Sequence, residues 1–208
     1  MKDKQKTELL TKFGYLHLRD KGCFEIATEV KVPYWTLRDW KNRQDRHFII
    51  DLVGTSWKYL PPYKQYTKKI KTDTHEWNHK VVKEPIIRGI EVKVSRGDFK
   101  NGFIHGGCNY NYLMTPKGLV EKNEVNKDIG IIEVDLDNLL IRKLQSPYYG
   151  LHIEGIKPIR NPKPKPITEE QMSRIRGQIA YRLTLQTALW LRDEFKTRSS
   201  LSMANDIE

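Results

Sequence analysis

One nearly unbroken apolar run and a second, mostly apolar segment constrain this chain more than any other feature. His47–Val53 reads His-Phe-Ile-Ile-Asp-Leu-Val, and a second run spans Ile86–Val94. The first, without regular alternation, suits a strand buried on both faces of a sheet, and the second reads as a further apolar strand. With helical and strand-like segments both present along the chain, α/β is the expected fold class. Each run carries charge where charge is costly. Asp51 interrupts the first; in the second, besides Arg88, Glu91 and Lys93 stand between Ile90, Val92 and Val94. Such groups are expensive to desolvate unless something organises them.

Strand geometry supplies the organisation. Residues i and i+2 project to the same face, so Glu91 and Lys93 point together with the Val92 carbonyl between them. Asp51 lies beside Glu91 if the two strands pair. Two close carboxylates repel each other and raise one pKa, unless a divalent cation sits between them. Mg²⁺ (or Mn²⁺) takes oxygen ligands and keeps several waters, so Asp51, Glu91 and the Val92 carbonyl are sufficient candidate ligands. Lys93 is then placed to orient a water and to screen charge on a phosphate under attack. These residue types in this pattern suit hydrolysis of a phosphodiester.

The flanking elements follow from periodicity. Leu9, Leu10, Phe13, Leu16 and Leu18 form an apolar stripe between about Thr7 and Asp20, the mark of an amphipathic helix stopped near Gly22. Cys23–Val32 alternates loosely and ends at Pro33, as a strand does. Ser95 reads as a helix N-cap with Asp98 in the first turn. Asn109–Thr115, Ile129–Val134 and Leu139–Leu144 read as further strands. Gly54–Glu84 shifts to aromatic and basic residues and reads as a long hairpin or loop insertion. Four prolines in Lys157–Pro166 make a stiff linker, and Thr168 with Gln171 forms a capping box opening a long helix. Its apolar residues Ile175, Ile179, Leu183, Leu189, Leu191 and Phe195 require burial against this chain or a second copy, the latter making a homodimer. The expected organisation is a core over 1–156 with an insertion at about 54–84, a linker at 157–167, a helix at 168–198 and a frayed tail at 199–208.

Charge narrows the partner. The 37 Lys and Arg outnumber the 26 Asp and Glu, a net charge of +11 that attracts polyanions, of which nucleic acid is the commonest. No run approaches the roughly 18 apolar residues needed to span a bilayer, and no apolar signal core follows the charged N-terminus. Two cysteines, Cys23 and Cys108, are too few for a disulfide framework. The expectation is a soluble cytoplasmic protein with no membrane partner.

The order helix, strand, strand with Asp51, strand with Glu91-x-Lys93, helix resembles the PD-(D/E)xK nucleases, with the MmcB-like DNA-repair group as the nearest likeness. The resemblance runs through Thr28-Glu29-Val30, Phe48-Ile49-Ile50-Asp51, and most specifically Gly89-Ile90-Glu91-Val92-Lys93-Val94-Ser95-Arg96-Gly97-Asp98-Phe99. It continues weakly through Cys108–Tyr112, Pro116 and Gly130-Ile131-Ile132. It implies a restriction-endonuclease-like αβββαβ core with a mixed sheet, Mg²⁺- or Mn²⁺-dependent cleavage of DNA, and a metal at Asp51 and Glu91. It also implies Glu29 as an auxiliary acid, and Ser95 and Asp98 as residues that order the following helix. Ile50 stands where the family's motif has proline.

Other readings stand beside this one. Lys58, Lys64, Lys68, Lys69, Lys71, Trp77 and Arg96 are candidate nucleic-acid contacts, the insertion being suited to stacking on bases and gripping phosphates. His75-Glu76-Trp77-Asn78-His79 matches H-E-x-x-H, which on a helix makes a zinc peptidase site. A catalytically silent nucleic-acid-binding module of the same fold is the third reading. Glu25 competes with Glu29 as the auxiliary acid.

Overall fold

The computed structural model describes residues 1–33, 47–72, 74–102, 106–143 and 151–205. The elements run α1 (Asp3–Asp20), β1 (Glu25–Pro33), β2 (His47–Tyr59), β3 (Tyr66–Lys71), β4 (Glu76–Val81), β5 (Lys83–Val92), α2 (Arg96–Lys100), β6 (Tyr110–Pro116), β7 (Gly130–Val134), β8 (Leu140–Lys143), β9 (Leu151–Glu154), β10 (Ile156–Arg160) and α3 (Glu169–Asn205). Six strands form one sheet in the order β1-β2-β5-β6-β7-β10, while β3-β4 and β8-β9 are separate two-stranded ribbons. Strands β1, β2 and β5 pair antiparallel, β5, β6 and β7 pair parallel, and β10 returns antiparallel at the edge. This is the expected α/β class: a mixed central sheet flanked by helices, with a C-terminal helix.

The two apolar runs lie side by side at the centre of the sheet. One face packs against α1, where Leu10, Phe13 and Leu18 meet Leu52, Ile90, Tyr112 and Met114. Gly14 allows the close approach, because a Cβ there would sit 2.5 Å from Leu52 Cδ1. The other face packs against α3, where Ile175 and Ile179 meet Val30, Ile50, Val53 and Ile87. A third cluster joins Leu113 and Ile131 to Val120, Val125 and Ile129. Burying side chains of this size contributes roughly 1.5–3 kcal/mol each, so both helices are held by packing rather than by helix propensity.

Several boundaries differ from the sequence expectation. Strand β2 continues to Tyr59 and β5 begins at Lys83, so both ends of the expected insertion are sheet, pairing as Ser56↔Ile86 through Tyr59↔Lys83. Alternation in those stretches is masked by exposed Trp57, Lys58 and Tyr59. The first half of the proline-rich segment is the edge strand β10, which an edge tolerates because Pro158 needs no N–H partner on its outer side. Helix α3 runs to Asn205 rather than ending at 198, since no glycine or proline interrupts 178–205. Leu189 and Leu191 on this helix are exposed, unlike Ile175 and Ile179. The Phe195 side chain and residue 144 of the expected strand lie outside what is described. Among the described residues no helix is long and apolar enough to cross a membrane.

Candidate active site

The site forms where the sheet splits. Pairing between β2 and β5 ends at Leu52↔Ile90, one residue short of Asp51 and Glu91. Between β1 and β2 the ladder skips one position, passing from Thr28↔Leu52 to Val30↔Ile50, so Glu29 stands opposite Asp51 without a regular bridge. Glu29 holds a left-handed backbone, φ 50°, which is rare and costly for a residue with a side chain. The side-chain alternation changes phase at the same level. Ile26 and Leu52 face α1, whereas Val30, Val32, Phe48 and Ile50 face α3, although strict alternation would put all six on one side. The break places carboxylates at a gap between strands instead of in an apolar layer.

Asp51 turns its carboxylate across that gap, and its Oδ2 accepts the Val92 backbone N–H at 2.7 Å. The side chain therefore replaces the strand-to-strand bond that the split removes. Glu91 and Lys93 follow on the face opposite Ile90, Val92 and Val94, which all belong to the α1 core. Their side chains are 14% and 12% exposed. Lys93 Nζ lies 3.5 Å from Glu91 Oε1 and 3.3 Å from Asp98 Oδ1. Asp98 Oδ2 in turn accepts the Val94 N–H at 3.3 Å, and the Asp98 N–H donates to the Ser95 hydroxyl at 3.2 Å. The capped start of α2 thus fixes Asp98, and Asp98 fixes the lysine.

The electrostatics are those of a crowded, partly dry pair of acids. Burial, then the neighbouring Asp51, push Glu91 up to about 8, against the opposing pull of the Lys93 ammonium and the Asp51 backbone N–H. Asp51 is also raised, chiefly by burial, with the Val92 N–H and Lys93 opposing. Glu91 Oε2 is buried with no hydrogen-bond partner among the described residues. An orphaned carboxylate oxygen beside a second carboxylate suits a divalent cation, which would satisfy both and remove their repulsion. Carboxylate oxygens are hard donors of the kind Mg²⁺ accepts. Among the described residues no group of three or more His, Cys, Asp or Glu side chains gathers to hold a metal.

Glu29 is diverted from that set. Its carboxylate pairs with the Arg182 guanidinium of α3, and Arg182 Nε also donates to the Thr28 carbonyl at 3.0 Å. Gln186, one turn further along α3, bonds to the Thr28 hydroxyl. The Glu29 charge still reaches Asp51, where it opposes ionisation. Glu25, the competing acid, accepts from Thr55 Oγ1 at 2.7 Å and lies away from the split. Sequence reading missed Arg182 and Gln186 because they lie more than 150 residues from Thr28 and Glu29, with no local signal to connect them. It also treated Asp98 only as a residue that orders α2, not as a partner of Lys93.

The remaining candidates lie elsewhere. Arg96 is occupied, with its guanidinium bonded to both Glu124 oxygens at 2.8 and 2.6 Å and to the Leu119 carbonyl at 3.0 Å. A phosphate would have to displace that pair. Lys58 lies on β2, Lys64 on a turn, and Lys68, Lys69 and Lys71 on β3; all are exposed, and Lys69 pairs with Glu76 at 3.4 Å. Trp77 belongs to β4, and its side chain lies outside what is described. The His75–His79 motif is in or beside strand β4, not on a helix. Four residues of strand span about 13 Å, too far for two ligands of one zinc ion.

No family model matches the chain, and no curated protein matches it. One solved structure, described as a protein of unknown function from Silicibacter pomeroyi, shows 15% identity and a TM-score of 0.40, covering 82% of each chain.

Proposed function

We propose that this chain is a metal-dependent nuclease that hydrolyses phosphodiester bonds in DNA, with Asp51, Glu91 and Lys93 as its catalytic residues. The observation that carries the reading is the split between β2 and β5. It sets two half-buried carboxylates together, leaves one oxygen of Glu91 without a donor, and holds an ammonium 3.5 Å away. Asp51, Glu91 and the Val92 carbonyl would hold Mg²⁺ or Mn²⁺. When bound, the cation would acidify a water and neutralise charge on the phosphate. Lys93, steadied by Asp98, would donate to the attacking water and to a phosphate oxygen as negative charge develops there. The Asp51–Val92 bond keeps its carboxylate aimed across the gap. The net charge of +11 supports a polyanionic substrate. On this reading the protein resembles the PD-(D/E)xK nucleases in mechanism, and Glu29 would join the site only when Arg182 releases it.

The exposed Leu189, Trp190 and Leu191 of α3 are where a second copy would pack, and sedimentation of the full chain tests that homodimer. Activity is tested by incubating supercoiled and single-stranded DNA with wild-type, Asp51→Asn and Lys93→Ala proteins in Mg²⁺, with EDTA as control. Wild-type cleavage should disappear in EDTA and fall about 10²-fold or more in both variants. Cleavage that survives Asp51→Asn would sink the site. DNA binding with no cleavage in either metal would favour the silent module.

A further inference from the structure

The structure separates the catalytic end of the sheet from the aromatic and basic end. From Asp51 to Tyr59, β2 runs eight residues, about 26 Å at 3.3 Å per residue. Beyond Tyr59 the chain makes one tight turn of 3₁₀ helix at Pro62–Lys64 and enters the β3–β4 hairpin. Three tyrosines project from this short stretch. Tyr59 is 75% exposed, Tyr63 83% and Tyr66 53%, whereas the tyrosine of the core, Tyr112, is 6% exposed.

These rings are presented by a fixed scaffold. Leu60 between them is buried, and its N–H donates to the Val82 carbonyl at 2.8 Å. Gln65 Nε2 donates to the Leu60 carbonyl at 3.1 Å, and the Lys64 N–H donates to the Pro61 carbonyl at 2.8 Å. Pro61 and Pro62 restrict the backbone further. The neighbouring Trp57 is occupied: it stacks on Phe24 with ring centroids 6.1 Å apart, and Lys83 Nζ lies 5.1 Å above it. The tyrosines therefore offer the open faces.

Cations surround them. Lys58 and Lys64 alternate with the tyrosines, and register puts Lys68 and His79 opposite each other on the hairpin face that carries Tyr66. Among the described residues only Lys69 of this group lies within ion-pair distance of a carboxylate. A phosphate track alone explains lysines but not three exposed, pre-positioned rings. Rings beside cations match unpaired bases beside phosphates, and paired bases inside a duplex offer no open face to stack on.

We propose that the turn at 59–66 and the β3–β4 hairpin form a binding site for single-stranded DNA. On the nuclease reading above, this makes the substrate a DNA that carries an unpaired segment. The cut then falls about 26 Å away, some eight base pairs of duplex at 3.4 Å each.

Binding is tested with the full chain in EDTA, where cleavage plays no part. Fluorescence anisotropy would compare an oligothymidylate of about 15 nucleotides, within the range of site sizes known for such proteins, with a duplex and an RNA of equal length. Single-stranded DNA should bind most tightly. Tyr63→Ser combined with Tyr59→Ser should weaken that binding about tenfold or more and leave the duplex nearly unchanged. The corresponding Phe variants, which keep the ring, should bind as wild type does. Lys64→Gln should lower the salt slope, which the Ser variants should not. Equal affinity for duplex, tighter binding of RNA, or Ser variants without effect would each overturn the proposal. Asp51→Asn should bind the single strand as wild type does, so loss of cleavage and loss of stacking report on separate readings.

Discussion

Glu91 offers the most demanding test of the site, because its burial makes a signed prediction about stability. In the metal-free protein its carboxyl is pushed up to about 8 from an ordinary 4.5. Between those values the folded state keeps a proton that the unfolded chain has released. The unfolded state then binds fewer protons, so stability falls as pH rises. The fall is about 1.4 kcal/mol per pH unit for one group. His17 opposes it at lower pH. This ring is buried on α1 and lowered to about 4 from 6.5 by burial, then by Lys21 and Arg88. Its contribution therefore grows as pH rises toward 6.5 and is complete above that. The two slopes offset each other below pH 6.5, and from 6.5 to about 8 the Glu91 slope is no longer opposed by His17, while Asp51, also raised by burial, acts in the same direction as Glu91. Across that window the metal-free protein should lose about 2 kcal/mol through Glu91. Urea denaturation in EDTA at three pH values measures it. Glu91→Gln should remove that part of the slope, and saturating Mg²⁺ should restore stability at pH 8 by binding the ionised form. A wild-type stability that is level or rising from 6.5 to 8, or a Gln variant with an unchanged fall, would refute the reasoning.

Three further outcomes follow from the packing and charge around the site. Gly89→Ala places a Cβ 2.8 Å from Cys108 Sγ and 3.4 Å from Ile50; it should cost about 1–3 kcal/mol, and Cys108→Ala should recover part of that in denaturation. Arg182→Ala removes the partner of Glu29 and two ties from α3 to β1; a loss of about 1–3 kcal/mol is expected, with partial recovery in Arg182→Lys and a changed metal requirement for cleavage. An unchanged metal requirement would mean that Glu29 plays no part in the site. Affinity for DNA should drop steeply with salt, roughly in proportion to the number of phosphates neutralised; a flat response would exclude a backbone-driven interface.

Much of the fold was legible because the signals are local. The apolar runs around Asp51 and Glu91 announced central strands, the stripe from Leu9 to Leu18 announced α1, and the Ser95 hydroxyl does cap α2. Charges in apolar strands marked Asp51, Glu91 and Lys93 as candidates for the same reason, since desolvation makes them conspicuous. What failed was context. Pro158 looked like linker because proline excludes central strands, yet an edge needs no N–H on its free side. The histidine motif's spacing carries no backbone geometry, and the pairing of Tyr66 to Lys71 with Val81 to Glu76 puts it in or beside a strand of a hairpin. Arg96 looked free until Glu124, remote in sequence, closed on it.

By itself the sequence determined which residues must be buried and which charges needed a reason to be there. Pattern and composition suffice for that, because burial and repulsion act residue by residue. Only the tertiary structure decided that the ladder ends at Leu52↔Ile90, so that Asp51 reaches the Val92 N–H and Glu91 keeps one oxygen unpaired. It alone brought Arg182 onto Glu29 and set the tyrosine-bearing turn at the far end of β2 from the carboxylates. Pairing register and helix docking are collective results of packing two faces of one sheet, and no local stretch of chain encodes them.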